Sequence, residues 1–279
     1  MENEKPKIVA LAHKITDRIK TELQEAAAGG KKRKFARFTL AALSSIPWVG
    51  GFLSATAALD AEKEQGAVNE LHQLWYEEHK EKLFELGKTI TDILNRLSNF
   101  DEEIKNRIES PSYLSLIRKG FRSWDQADTQ EKRNLIKNLL TNAGGTKLCP
   151  DDLVRLFIEW IDHYHEAHFM VIKEIYKNPG ITRGGIWNSI HGDRPREDSA
   201  EADLYKRLIR DLSTGGVIRQ HRSTNIHGQF IKESTKGRQR SSSSTLKSAF
   251  DDQEPYELTE LGRQFVHYTM DELAPQIGS

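Results

Sequence analysis

Tyr176-Lys-Asn-Pro-Gly-Ile-Thr-Arg183 and Gly215-Gly-Val-Ile-Arg-Gln-His-Arg222 bracket the part of this chain whose order of elements decides its fold. Ahead of the first lies an apolar run from Ile172, stopped by Pro179-Gly180 because proline removes a helical hydrogen bond and glycine lowers helix propensity. Behind it, Ile186, Trp187 and Ile190 mark a second short helix after a Gly-Ile-Thr turn. Asp198-Ser-Ala-Glu201 opens a third, with a capping oxygen for the first unpaired N–H groups and an acid three residues on. Leu204, Leu208 and Leu212 recur every fourth residue of that helix and are expected to pack inward, leaving Asp203, Lys206, Arg207 and Arg210 outside. Gly215-Gly216 ends it. Val217 to Arg222 reads as a strand, and Tyr256-Glu-Leu-Thr-Glu-Leu-Gly-Arg-Gln-Phe265 as a returning strand that enters a final helix.

This succession resembles the winged helix-turn-helix superfamily, particularly bacterial regulators of the PadR and MarR type. Its most specific piece is Leu258-Thr-Glu-Leu-Gly262, where the second wing strand meets the last helix. The resemblance implies a winged-helix domain over 165–273 and DNA binding by a dimer. It also implies that Lys206, Arg207 and Arg210 lie on the recognition helix and Arg219 and Arg222 at the wing base. Two features depart from the pattern. The recognition helix starts among Glu197, Asp198, Glu201 and Asp203, where base edges are normally read, and phosphates repel those charges. The wing, 219–254, is oversized, with roughly 30 residues between its strands. From Arg219 to Lys247 it holds seven Lys or Arg against the single acid Glu233. Lys236-Gly-Arg-Gln-Arg-Ser-Ser-Ser-Ser244 is too polar to pack and reads as disordered until a partner binds. Lys236, Arg238 and Arg240 either neutralise phosphates with salt-dependent, sequence-blind affinity or form a solvated loop without a role.

Everything ahead of position 178 reads as helix, which gives a mainly α chain: an all-α domain over 1–148, a connecting helix over 149–177, then the α+β winged-helix domain. Ile8, Leu11, Ile15, Ile19 and Leu23 form one helical stripe, followed by the basic run Lys31-Lys-Arg-Lys34. The segment 38–59 carries no charge over about 22 residues, a bilayer-crossing length. Ile46-Pro-Trp-Val-Gly-Gly-Phe52 breaks it, so two short apolar helices are more natural than one span. Three readings stay open: a buried hairpin, a hairpin that enters membranes on activation, and a permanent span. The second would use Phe38, Leu40, Leu43, Ile46, Trp48, Val49, Phe52 and Leu53. Leu71, Leu74, Trp75, Leu83, Leu86, Ile90 and Ile93 define a long amphipathic helix over 68–97. Shorter helices follow near 101–108, 113–121 and 129–143. The basic run, the Ile-Pro-x-Val-Gly-Gly hairpin and Asp128-Thr-Gln-Glu-Lys-Arg133 resemble helical proteins of bacterial abortive-infection and phage-defence systems. In several of those an apolar helical pair is thought to act on membranes.

The 279 residues are 37% hydrophobic and 29% charged with zero formal net charge, so attraction to nucleic acid has to come from local patches. One cysteine and an N-terminus without a signal-peptide core point to the cytoplasm. No catalytic signature, phosphate loop or cofactor motif is found, and no enzyme activity is expected. In Asp162-His-Tyr-His-Glu-Ala-His168 the His-Glu-x-His spacing falls one residue short of a zinc-protease motif. Those histidines read as ordinary polar groups near the domain junction, with a pH-sensitive junction as the alternative. Cys149 precedes a proline and a helix start that would lower its pKa. Three functions remain: a non-enzymatic nucleic-acid-binding regulator or sensor, a membrane-perturbing defence effector, and an adaptor. A homodimer or a protein partner is expected, and membrane contact only conditionally.

Overall fold

The computed structural model describes residues 36–51, 70–98, 102–145, 149–221 and 248–270, and the chain divides into two compact units, Met1–Asp162 and His163–Ser279. It is mainly helical, with one small antiparallel sheet.

In the first unit, helices α1 (Ala36–Ser44), α2 (Glu70–Ser98), α3 (Glu102–Ile108), α4 (Pro111–Gln126), α5 (Gln130–Gly145) and α6 (Asp151–His163) follow in order. Local chemistry sets their ends. Ser110 accepts the Tyr113 N–H at 3.3 Å, and Pro111 occupies a first-turn position where a missing N–H costs nothing. Thr129 caps α5 through the Lys132 N–H. Helix α4 is the centre of this unit, packing against α1, α3 and α5, while α5 also packs on α2. Gly120 permits the α4–α5 approach, since a Cβ there would come within 2.7 Å of Leu140 Cδ2.

The apolar segment breaks where its proline predicts. Helix α1 ends at Ser44 and helix resumes over 47–51. Phe38, Leu43, Ile46 and Val49 are core residues, and the Phe38 ring lies 6.3 Å from Tyr113 (28° between planes) and 6.3 Å from Phe121 (86°). Leu40 is 44% exposed, and half-buried Trp48 donates its indole N–H to Asp125 Oδ1 at 2.7 Å. Phe52 and Leu53 lie outside the described residues. Among the described residues no helix is long and apolar enough to cross a membrane.

The expected connecting helix over 149–177 is instead two helices, α6 and α7 (Glu166–Lys177). His165 is extended (φ −86°, ψ 165°), and its N–H is taken by Nδ1 of His168 at 3.0 Å. A side chain that offers the backbone an alternative acceptor competes with helix continuation. Apolar spacing persists across the break, which is why periodicity conceals it.

The second unit continues with β1 (Ile181–Thr182), α8 (Arg183–His191), α9 (Ala200–Thr214), β2 (Ile218–Gln220), β3 (Pro255–Leu258) and α10 (Glu260–Thr269). The sheet order is β1-β3-β2, antiparallel throughout. Ile181-Thr182, expected as part of a turn, is therefore a short strand paired with Tyr256 and Pro255. Helix α7 packs against α8, α9, α10 and β3, with Phe169 stacked on Phe265 at 6.3 Å.

Two expectations for the third helix need correction. Its cap is Ser199, which accepts the Ala202 N–H at 3.2 Å, so Glu201 falls in the first turn instead of closing a capping box with Asp198. Leu204 is 55% exposed. The inward stripe is Ala202, Tyr205, Leu208, Ile209 and Leu212, because Tyr205 joins the ring cluster of Trp187 and Phe250 and sets the rotation of the helix.

Gly262 shows why Leu258-Thr-Glu-Leu-Gly262 has its form. Thr259 caps α10 through the Gly262 N–H at 3.0 Å, and its own N–H reaches the Val217 carbonyl at 3.0 Å. A Cβ at 262 would collide with that same carbonyl oxygen. Because the obstacle is backbone, Gly262→Ala is expected to destabilise the second unit by about 1–3 kcal/mol, read from thermal melting. Phe38→Ala is expected to cost about 3–5 kcal/mol in urea denaturation. An unchanged urea midpoint would contradict a core role for the 38–51 segment.

Candidate nucleic-acid interface

Helix α9 has a buried side and an exposed one. Its buried stripe leaves Lys206, Arg210 and Ser213 on the side next to β2, at steps of four and three. On β2, alternation buries Ile218 and exposes Arg219. Arg183 enters from across the sheet as the first residue of α8, placed by the Thr182 cap on the Gly185 N–H at 3.1 Å. These elements enclose a groove of about 620 Å3. Arg183, Lys206, Arg210 and Arg219 line it, with Ile209 and Ile218 as apolar wall and Gln220, Ser213 and Ser248 as polar rim. Among the described residues no Asp or Glu lines it.

The four cations differ in how they are held. Arg219 donates to Glu257 Oε1 at 2.7 Å, its cross-strand partner in the β2–β3 register, while His221 meets the other oxygen at 2.8 Å. Lys206 lies 3.6 Å from both Glu197 and Asp203. Arg183 donates Nε and Nη2 to the Tyr256 hydroxyl at 2.8 and 2.6 Å, a neutral acceptor that fixes the guanidinium without cancelling its charge. Arg210 is exposed, with no ion pair or side-chain hydrogen bond among the described residues.

The acidic start of α9 is largely occupied by the fold. Glu197 accepts the Ala249 N–H at 2.9 Å and the Ser248 hydroxyl. Burial alone would raise its pKa, but those bonds and Lys206 more than offset this and hold the carboxyl below its usual range. Arg194 grips Asp252 with two bonds of 2.7 Å, which holds that carboxyl low as well. Phe250 stacks parallel to Tyr205 at 5.7 Å. These contacts fix the chain as it returns to β3 and put Ser248 at the groove rim.

The structure thus brings together Lys206, Arg210 and Arg219, all legible from sequence, and adds Arg183, Gln220 and Tyr256, which are not. Arg207 does not join them. Its side chain is 77% exposed and faces Asp211 at 3.4 Å, one position of helical rotation away from the groove. Arg222, Lys236, Arg238 and Arg240 lie outside the described residues.

The histidine cluster makes a different arrangement. His163 and His165 are exposed, while His168 is 3% exposed and its ring stacks on Tyr164 at 4.9 Å. With Nδ1 accepting from His165, the proton of the neutral ring sits on Nε2, which makes no hydrogen bond and lies 3.8 Å from Asp211 Oδ2. Burial lowers His168 from near 6.5 to about 4, against the partial support of Asp211. Burial also raises Tyr164 to about 12, reinforced by the Asp211 carboxylate. Cys149, expected to have a lowered pKa, is instead buried and pushed up to about 11 by desolvation and then by Asp151.

No protein-family model matches the chain, and neither a curated protein nor a solved structure matches it.

His168 predicts an acid weakness. Unfolded, it takes a proton near pH 6.5; folded, it resists to about 4. Its contribution is therefore fully present above pH 6.5 and is lost as pH falls toward 4, a difference of about 3 kcal/mol over that window. Urea unfolding of the wild type should weaken across that window more than that of His168→Gln. Parallel pH profiles would overturn the assignment.

Proposed function

We propose that the second unit is a winged helix-turn-helix module that binds nucleic acid through the phosphate backbone, as the non-enzymatic recognition part of a regulator or sensor. The reading rests on one observation: four cations converge on a groove lined by no carboxylate among the described residues. The order helix, strand, helix, helix, strand, strand, helix with sheet order β1-β3-β2 supports it. So does the position of the groove between the third helix of the unit and the strand that leads into the wing.

The acids at the start of α9 favour backbone over base recognition. A recognition helix usually presents its first turns to base edges, and here those turns carry Glu201 and Asp203, both exposed. The cations sit further along, where they meet phosphate without deep insertion. Phosphate contacts position a protein on nucleic acid but carry no sequence information, so weak discrimination between sequences is the corollary.

Fluorescence anisotropy with duplex and single-stranded oligonucleotides at two salt concentrations tests this. Affinity should fall steeply with salt, and Arg183→Gln or Arg210→Gln should each flatten the log–log slope by about 1. Arg207→Gln, outside the groove, should change it less. Absence of binding at low salt rejects the proposal.

A further inference from the structure

Two of the groove cations face carboxylates of the fold, and two do not. Lys206 faces Glu197 and Asp203, and Arg219 faces Glu257. Arg183 is held by a phenol and Arg210 has no ion pair among the described residues. The unneutralised charge is thus two guanidiniums opening on one space.

A backbone phosphodiester brings a single negative charge to such a pair. A phosphate monoester brings about −1.5 to −2 near neutral pH and three strong acceptor oxygens. The second matches two guanidinium forks in charge and in number of acceptors, and guanidinium–phosphate bonds of this kind are commonly bidentate. Size points the same way. About 620 Å3 lies in the range of roughly 300–1,000 Å3 typical of compact ligands. A strand end or a mononucleotide also presents its phosphate without the second flanking nucleotide that a backbone phosphodiester always carries. Gln220 and Ser213 supply polar contacts beside the two guanidiniums.

We propose that this groove is a phosphate-monoester site, taking the 5′-terminal phosphate of a nucleic-acid strand or the same group on a free nucleotide. Arg183 and Arg210 are its direct ligands. Tyr256 is a positioning residue: by accepting both Nε and Nη2 of Arg183, it fixes the guanidinium plane and leaves the remaining N–H donors for the ligand. The inference builds on the nucleic-acid reading above and adds which phosphate is recognised.

The test uses the full chain and one single-stranded oligonucleotide labelled at its 3′ end, with either a 5′-phosphate or a 5′-hydroxyl. AMP, adenosine and inorganic phosphate serve as competitors. The phosphorylated strand should bind about tenfold tighter. That advantage should shrink below about pH 6, where the monoester takes its second proton. Arg210→Gln, an exposed change, should remove the advantage; Tyr256→Phe should reduce it with net charge unchanged, provided melting shows the variant folded. AMP displacing the phosphorylated strand where adenosine does not supports the site and assigns the free nucleotide as a ligand. A 5′-phosphate preference without AMP competition supports it with the strand end as the source. Equal affinity for the two strands overturns the monoester site and leaves the backbone reading intact. AMP binding without binding of either strand keeps the site and overturns the backbone reading. No binding of strand or AMP overturns both.

Discussion

Strand β3 carries the second unit. Four residues long, it pairs with β1 through Pro255 and Tyr256 and with β2 through Tyr256, Glu257 and Leu258, so it fixes both neighbours at once. Strands this short cannot hold themselves together in water. Their stability comes from burial of Tyr256 and Leu258 and from α7 and α10, both packed against β3. Tyr256 concentrates the dependence. Its ring is core, while its hydroxyl receives Arg183 from one side of the sheet and the amide of Gln220, at 3.5 Å, from the other. The residue that joins the three strands also arranges the cations of the groove.

The acids complete this arrangement from behind. Glu257 aligns Arg219 and His221; although burial raises its pKa, His221 and Arg219 outweigh that and keep it ionised. Glu197 fastens the returning chain at Ser248 and Ala249 while facing Lys206. These carboxylates orient two cations and reduce the charge they project. The outcome is a groove with two oriented, partly neutralised cations and two that retain their charge.

What was legible in the sequence is what local chemistry decides. Gly215-Gly216 marks a helix end, and Lys206 and Arg210, four apart, share a helix side. An inward Leu204/Leu208/Leu212 stripe leaves Arg207 outside together with Lys206 and Arg210, but one residue of helix rotates a side chain through about 100° and separates it from them. Tertiary contacts hid the rest. The leucine at every fourth residue predicts Leu204 as core, yet the aromatic cluster around Phe250 claims the stripe one position on. Arg183 carried no signal at all. Only the pairing of Thr182 with Pro255 brings it over the Tyr256 ring, and its partner lies 73 residues away.

The acids at the start of α9 weigh against binding only locally. Glu201 and Arg210 are nine residues apart, roughly 13 Å along the axis at helical rise. The screening length at physiological salt is about 8 Å, so a phosphate beside Arg210 feels little of Glu201. The C-terminal end of the helix, whose carbonyls would otherwise repel an anion, is quietened by the Gly215 and Val217 N–H groups on the Asp211 and Leu212 oxygens at 2.8 and 3.0 Å. A chain with zero net charge has no long-range field to gather a polyanion. On the proposed reading, attraction would have to act at close range, on the later turns of α9, where Arg210 lines the same groove as Arg183.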